Sequence, residues 1–263
     1  MTSIKVLAVV ACFAVAGVLT ISFINIPNVK TAKGNDPAKG FAVIELFTSE
    51  GCSSCPPADE LVARVEKENS GEPVYILAYH VDYWNRLGWK DVFSSPEYSA
   101  RQNQYAEWFN LSSVYTPQIV VNGQTEFVGS EEGNLRKAIR AGLQKAATAE
   151  FSISDVKIDG DRASVKYRAE GIPNDAVLML ALVQKDAVTK VQRGENGGRT
   201  LSHVQIVRQL QRLLLKNNDQ GTANVALPNG FNPQGWEVIG FIQNRSNGEI
   251  IGASKGAFPA GQP

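Results

Sequence analysis

The feature that most constrains this chain is a single C-x-x-C motif, formed by Cys52 and Cys55 with two serines between them. The residues before it, 41–47, form an apolar run followed by polar residues and a glycine, which is typical of a buried strand. A proline pair directly after Cys55 opens a helical pattern that continues to about residue 69. Backbone N–H groups at a helix start lower the pKa of a nearby thiol. The location therefore predicts a reactive dithiol.

We predict that Cys52 is the catalytic nucleophile and that Cys55 is the resolving thiol, because the first cysteine of such a pair is the more exposed. The chain has one further cysteine, Cys12, so no second pair completes a four-thiolate zinc site. Two alternatives remain open. The pair could form a structural disulfide in a non-catalytic binding module. Alternatively, Cys52, Cys55 and His80 could bind copper(I), which prefers soft thiolates and imidazole. We expect no cofactor, and a metal only in the copper alternative.

A second element, Thr116-Pro117, precedes a predicted hairpin strand. Thioredoxin-like proteins place a cis-proline at this position, facing the cysteines. A cis bond there would expose backbone groups, so that a substrate peptide can pair with them as an extra strand. We therefore predict that Thr116 and Pro117 bind substrate, against the alternative of an ordinary trans proline at an edge strand.

Three further residues are predicted to assist the dithiol. His80 and Asp82 follow the second strand, at the edge where functional residues of α/β sheets gather, so that His80 could stabilise a thiolate or move its proton. Glu45 lies on the first strand and could serve as a buried proton acceptor. Its distance from Cys52 differs by one residue from that in thioredoxin, and strand alternation would turn it to the other face.

The order of patterns predicts the fold class. The patterns in residues 41–149 predict, in order, a strand, a helix, a strand, a helix, a hairpin and a helix, with Asn122-Gly123 as the hairpin turn. After residue 150, short strands follow one another without helices. We therefore predict an α/β thioredoxin-like domain at 40–149 followed by a β-rich, antiparallel sandwich-like domain at 150–257 and a flexible tail at 258–263.

Four longer motifs carry a resemblance to a known family: ELFTSEGCSSCPPAD, YHVDYWNRLGWKDVFS, YTPQIVVNG and GENGGRTLSH. They resemble the DUF1223 family of exported bacterial proteins, and the resemblance covers nearly all of residues 41–254. The stretch FAVIELFTSEGCSSC is also similar to the first strand and active-site loop of glutaredoxins and thioredoxins. The resemblance implies a thioredoxin-like domain with an extra β-rich part, and it implies no settled substrate.

The N-terminus and the charge balance indicate where the protein works and with what. Residues 6–24 carry no charge, so we expect a signal peptide or membrane anchor at 1–26 and a linker at 27–39. The protein is then periplasmic or exported, tethered to the inner membrane by residues 6–24 if that segment is uncleaved. The chain has 26 basic and 26 acidic residues, so it has no net positive charge that would favour nucleic-acid binding. The predicted partners are protein thiol or disulfide substrates and a redox partner of the membrane or envelope.

A glycine-rich polar stretch suggests how the two predicted domains meet. We predict that residues 194–208 dock on the polar insert at 80–95, and that Arg199 forks onto a carboxylate of this insert. Within the stretch, apolar residues recur at helical spacing: Leu201, Val204, Val207 and Leu210. Docking of this kind would narrow access to Cys52.

Overall fold

The computed structural model describes residues 39–215 and 219–259, which form eleven strands and three α-helices. The first part of the chain forms, in order, β1 (Ala42–Thr48), α1 (Pro56–Glu68), β2 (Val74–His80), a short 3₁₀ helix (Asn85–Leu87), α2 (Pro96–Phe109), β3 (Gln118–Val121), β4 (Thr125–Val128) and α3 (Glu132–Gln144). Seven strands follow: β5 (Glu150–Asp159), β6 (Arg162–Glu170), β7 (Ala176–Lys190), β8 (Thr200–Leu214), β9 (Gln220–Ala226), β10 (Trp236–Asn244) and β11 (Ile250–Ala257).

Local sequence signals explain the elements around the C-x-x-C motif. All seven residues of β1 are buried, as its largely apolar run predicts, and the one charged residue in it, Glu45, is paired. The helix α1 has prolines in its first turn, where the missing N–H groups have no intrahelical partner to lose. Asn122 and Gly123 both have positive φ, 50° and 64°, which the tight turn between β3 and β4 requires.

The strands form two sheets, and their pairing corrects the predicted fold class. One sheet has eight strands in the order β11-β10-β7-β8-β2-β1-β3-β4, and the other has three in the order β5-β6-β9. The larger sheet is mixed, because β1 pairs with β2, and β2 with β8, in parallel, whereas its other pairs are antiparallel. A thioredoxin-like α/β domain followed by a separate sandwich was therefore the wrong prediction.

The physical reason lies at the outer edge of β2. This edge accepts β8 through the pair Ala78 and Ile206, so strands from both halves of the chain continue one sheet. One apolar cluster also spans the junction: Phe47 and Tyr79 pack in it together with Phe241 of β10. The described residues accordingly belong to one structural unit rather than to two domains.

The segment with helical spacing is a strand, so that expectation was also wrong. It belongs to β8, which pairs along its length with β7. The pairing register shifts beside Leu182 and Val183, and Gln205 adopts a positive φ of 53°. Such a bulge interrupts the two-residue alternation, which therefore does not show in the sequence.

The predicted N-terminal signal peptide or anchor at 1–26 lies outside the described residues, as do most of the predicted linker and tail. Within residues 39–215 and 219–259, no helix is both long and apolar enough to cross a membrane.

Candidate functional site

The C-x-x-C motif forms the loop between β1 and α1, and its cysteines are joined in a disulfide. The Cα atoms of Cys52 and Cys55 are 5.4 Å apart, and both residues are completely buried. Cys55 is the N-cap of α1, and its carbonyl accepts hydrogen bonds from Ala58 and Asp59. The positive end of the helix dipole is thus closest to Cys55, while Cys52 precedes the helix. Burial of both sulfur atoms means that a substrate reaches them only after something moves.

The loop that buries the disulfide connects β7 to β8, and we call residues 191–199 the cover loop. Asn196, itself completely buried, donates from its side-chain amide to the carbonyl of Glu50 at 2.9 Å and to that of Cys52 at 2.8 Å. Glu195 accepts a 3.0 Å hydrogen bond from the backbone N–H of Ser53. Hydrogen bonding from Ser53, by its side chain and then by its backbone N–H, lowers the pKa of the Glu195 carboxyl group. Three side-chain hydrogen bonds therefore hold the cover loop on the motif.

The predicted docking of residues 194–208 on residues 80–95 is confirmed. The ring of His203 lies 4.8 Å from that of His80, and the Arg208 guanidinium lies 5.1 Å from the Phe93 ring, each measured to the ring centroid. The predicted fork of Arg199 onto a carboxylate is wrong. Arg199 donates to the side-chain oxygen of Asn196 at 2.8 Å and so supports the cover loop itself.

A buried cluster of titratable side chains adjoins the motif, since Glu50 is two residues before Cys52 and the backbone N–H of Asp59 bonds to the Cys55 carbonyl. We call it the buried acid–histidine cluster: Glu50, Asp59, His80, Asp91 and His203. His80 Nδ1 donates to Asp91 Oδ2 at 2.7 Å, and the same oxygen accepts from the backbone N–H of Glu50 at 2.9 Å. His203 Nε2 lies 3.5 Å from Glu50 Oε1, without hydrogen-bond geometry. The cluster joins β2, β8, α1 and the motif in one polar interior.

Two carboxyl groups of the cluster have shifted pKa values. Burial raises the pKa of Asp59 to about 7, an effect that His203 and a 3.2 Å hydrogen bond from the Thr48 hydroxyl partly offset. Burial also acts to raise the pKa of Asp91, but the charge and hydrogen bond of His80 act against it, and the pKa of Asp91 lies below its ordinary value. Asp91 is therefore held as an anion, and Asp59 can hold a proton near neutral pH.

The cluster also contains polar atoms that lack a hydrogen-bond partner in the described part of the chain: His80 Nε2, both ring nitrogens of His203 and Glu50 Oε1. The second carboxylate oxygen of Glu50 accepts from Trp89 Nε1 at 2.6 Å. Buried polar atoms are costly without partners. Their concentration close to the motif in the chain marks this cluster as part of the candidate functional site.

Thr116 and Pro117 lie next to the motif. The Ser54 hydroxyl donates to the Thr116 carbonyl at 3.4 Å, and Trp84 Nε1 donates to the Thr116 hydroxyl at 2.8 Å. The Thr116–Pro117 peptide bond is cis, the isomer that its position favoured. Both residues of the predicted binding segment are thus beside the exposed serines of the motif.

The other predicted assisting residues have different surroundings. Glu45 binds Arg101 in a buried ion pair, with Arg101 Nη2 donating to Glu45 Oε1 at 2.9 Å, and accepts a hydrogen bond from the Tyr105 hydroxyl. By alternation along β1 it shares the face of Phe47, away from the α1 side. Asp82 accepts from the hydroxyl of Ser99 on α2. Neither therefore belongs to the buried acid–histidine cluster.

Sequence reasoning did not single out Asp59, and it placed Asn196 among the polar groups that dock on residues 80–95 rather than on the motif itself. Asp59 had a local signal, because it lies four residues after Cys55, one helical turn along α1. Asn196 had none, since its partners are more than 140 residues away in the chain.

The three residues of the copper alternative make other bonds in this structure. His80 directs one ring nitrogen to Asp91, and both cysteines are in the disulfide. In the described residues, no group of three or more His, Cys, Asp or Glu side chains is arranged to hold a metal ion.

Comparison with known proteins gives a family match and two solved structures of the same fold. A family model described as "Protein of unknown function (DUF1223)" matches residues 43–243. Protein AGR_C_4864 from Agrobacterium tumefaciens is 26% identical over 87% of this chain and 97% of its own, with a TM-score of 0.65. HBP35 of Porphyromonas gingivalis is 17% identical over 86% of this chain and 77% of its own, with a TM-score of 0.58, and shows likeness of fold alone. No curated protein matches the chain.

Proposed function

The chain belongs to the DUF1223 family, and we propose that it is a thiol–disulfide oxidoreductase that exchanges Cys52 and Cys55 with protein substrates. One observation carries the proposal: the Cys52–Cys55 disulfide adjoins a buried cluster of titratable groups, with Glu50 two residues before Cys52 and the backbone N–H of Asp59 bonded to the Cys55 carbonyl. A purely structural disulfide needs no such cluster. Burying several titratable groups is costly, and their concentration is characteristic of sites that transfer protons.

The exchange proceeds in two steps in the direction that reduces a substrate. The Cys52 thiolate attacks one sulfur of a substrate disulfide, and the other sulfur leaves as a thiolate that takes a proton from water. Cys55 then gives its proton to Asp59 and attacks the Cys52 sulfur, which releases the second substrate thiol. The substrate gains two electrons, and the protein disulfide forms. An envelope redox partner reverses the change through the same two steps.

Asp59 suits the second step because of where it lies and how it is buried. It is one helical turn beyond Cys55, and its backbone N–H bonds to the Cys55 carbonyl at 3.2 Å. A group whose pKa is about 7 accepts and returns a proton near neutral pH with little driving force either way. The paired anion Asp91, held by His80, keeps the interior polar while Asp59 changes its charge.

Access to Cys52 requires that the cover loop moves. The sulfur atoms are buried, whereas Ser53 and Ser54 are exposed at the surface of the motif. Thr116 and Pro117 lie beside Ser54, which supports them as the residues that contact an arriving peptide. Displacement of Asn196 would open the motif toward the same side.

A second candidate function is a binding module whose disulfide is structural. The complete burial of both cysteines favours it, since buried cysteines resist exchange. The two candidates differ in chemistry: only the oxidoreductase forms a mixed disulfide with another protein.

We further propose that the protein acts in the cell envelope, tethered by residues 6–24, and that its substrates are envelope proteins. The uncharged run at 6–24 supports export, and disulfides persist in oxidising compartments.

Trapping tests the proposed function. In Cys55→Ala the mixed disulfide between Cys52 and a substrate cannot be resolved, so disulfide-linked adducts should accumulate on non-reducing gels. Cys52→Ala is the matched control, and it should accumulate none. Equal adduct formation by both variants, or by neither, would refute the assigned roles.

A further inference from the structure

Five exposed basic residues surround the cover loop, and we call them the basic rim: Arg86, Lys90, Lys190, Arg193 and Arg199. They belong to two segments, the insert between β2 and α2 and the cover loop with the last residue of β7. These segments meet at Gly194, where a Cβ atom would lie 3.5 Å from Trp89 Cβ and 3.8 Å from the Leu87 carbonyl oxygen. The tip of the cover loop contacts the motif through Asn196. The basic rim is therefore brought to the entrance of the disulfide.

The charges of the basic rim are not neutralised by ion pairs among the described residues. In the described part of the chain, none of the five has a carboxylate within 4.0 Å. The same segments carry one exposed carboxylate, Glu195, which accepts a hydrogen bond from the Ser53 N–H and keeps its negative charge, so the five bases exceed it by four charges; Asp91 is buried with His80. Elsewhere, exposed cations such as Arg136 and Lys145 do form ion pairs.

The basic rim does not reflect a generally basic protein. The chain carries 26 basic and 26 acidic residues, so the local excess of positive charge is a property of this entrance. Clefts bordered by one sign of charge concentrate ligands of the opposite sign and accelerate their association. Beside the same entrance, Leu87 and Val92 are 40% and 60% exposed, which offers apolar contact to an arriving segment.

We propose that the substrate of Cys52 is an acidic peptide segment that carries the reacting cysteine, and that the basic rim selects it. This inference rests on the proposed thiol–disulfide exchange and adds the chemical class of the substrate. The cation side chains attract carboxylates next to the reacting sulfur, while the apolar residues contact the rest of the segment. A basic segment would be repelled from the same entrance.

Three small disulfides of similar size test the selection: 3,3′-dithiodipropionate, which is a dianion, neutral 2-hydroxyethyl disulfide, and cystamine, which is a dication. Each oxidises the reduced full-length protein while it is itself reduced to two thiols. Rates are followed by acid quenching and alkylation of the remaining Cys52 and Cys55 thiols. The ratio of variant to wild-type rate for each probe removes differences in intrinsic reactivity.

The variant is Lys90→Glu with Arg193→Glu, and the matched control is Lys157→Glu with Arg162→Glu, which makes the same charge change on β5 and β6. At low ionic strength, the rim variant should react about 10-fold more slowly with the dianion and faster with the dication. Its rate with the neutral probe should not change. The differences should shrink in 1 M salt, where charges are screened within about 3 Å.

Two results would overturn the inference in distinguishable ways. Equal rate changes with all three probes, or equal effects of the rim and control variants, would remove the charge selection while leaving the exchange intact. If no probe oxidises the wild-type dithiol, the proposed exchange itself is refuted, and the inference falls with it.

Discussion

Replacing Asn196 by alanine should expose the disulfide without touching either cysteine. The Asn196 amide makes hydrogen bonds of 2.9 Å and 2.8 Å to the carbonyls of Glu50 and Cys52, and all of this residue is buried. A buried hydrogen bond contributes about 1 kcal/mol, so both together hold the cover loop by about 2 kcal/mol. Loss of about 2 kcal/mol raises the population with an open loop about 30-fold, because 1.4 kcal/mol corresponds to a factor of ten.

The assay is the rate at which dithiothreitol reduces the disulfide, followed by alkylation of the freed thiols and mass spectrometry. If opening precedes reduction, the Asn196→Ala rate should exceed the wild-type rate about 30-fold. Asn122→Gly is the matched control, since Asn122 also makes two side-chain bonds, to Val43 and Phe41, at the start of β1, the end of the strand that is farther from the motif. Glycine tolerates the positive φ at this position. An unchanged rate in Asn196→Ala, or an equal gain in Asn122→Gly, would refute the role of the cover loop.

Three further predictions concern buried carboxyl groups. Because the pKa of Asp59 is raised to about 7, its carboxyl group stays protonated in the folded protein at pH values where it ionises in the unfolded chain. Between pH 4 and pH 7 the free energy of unfolding of the wild type should therefore fall by on the order of 4 kcal/mol relative to that of Asp59→Asn. Urea-unfolding measurements that give parallel pH profiles for the two proteins would contradict this. The same Asp59→Asn change should slow resolution by Cys55 and flatten its pH dependence near 7 in stopped-flow exchange, and an unaltered profile would exclude Asp59 as the proton acceptor. Glu45→Gln should destabilise the protein by about 3–5 kcal/mol because it leaves Arg101 buried without its partner, and adding Arg101→Met should restore most of this stability. The pH profile of exchange should be the same in Glu45→Gln as in the wild type. A shifted profile would show that Glu45 takes part in the exchange reaction.

The sequence predicted the elements around the motif because their signals are local. The buried run of β1, the prolines that open α1 and the Asn122-Gly123 turn each act over a few residues. These same signals placed Cys52 and Cys55 between a strand and a helix. Local periodicity and turn chemistry are sufficient for features of this kind.

The single eight-stranded sheet could not be predicted in the same way. It depends on the pairing of β2 with β8, which joins residues 78 and 206. No local pattern specifies a pairing across such a distance. In β8 the register shift opposite Leu182 and Val183 also makes the spacing of apolar residues resemble that of a helix. A separate sandwich was predicted because the sequence shows the antiparallel hairpins but not the distant strands that continue their sheet.

The functional site was also predicted only in part, because its detailed contacts join residues that are distant in the chain. The contact between residues 194–208 and 80–95 followed from polar groups that need partners, and it is present. Its detail differs, since Asn196 rather than Arg199 reaches the motif. The buried acid was assigned to Glu45 on β1, whereas Asp59 on α1 lies on the side of the cysteines. Side-chain direction around a loop depends on packing, which spacing alone does not describe.

The equilibrium reduction potential of the Cys52–Cys55 pair tests the central claim most directly. The full-length protein is equilibrated with dithiothreitol or glutathione buffers of graded potential, and its thiols are alkylated and counted. A working oxidoreductase should titrate reversibly between about −270 and −120 mV, the range of known exchange proteins. A potential below about −300 mV, which is typical of structural disulfides, would contradict the account and favour the binding module.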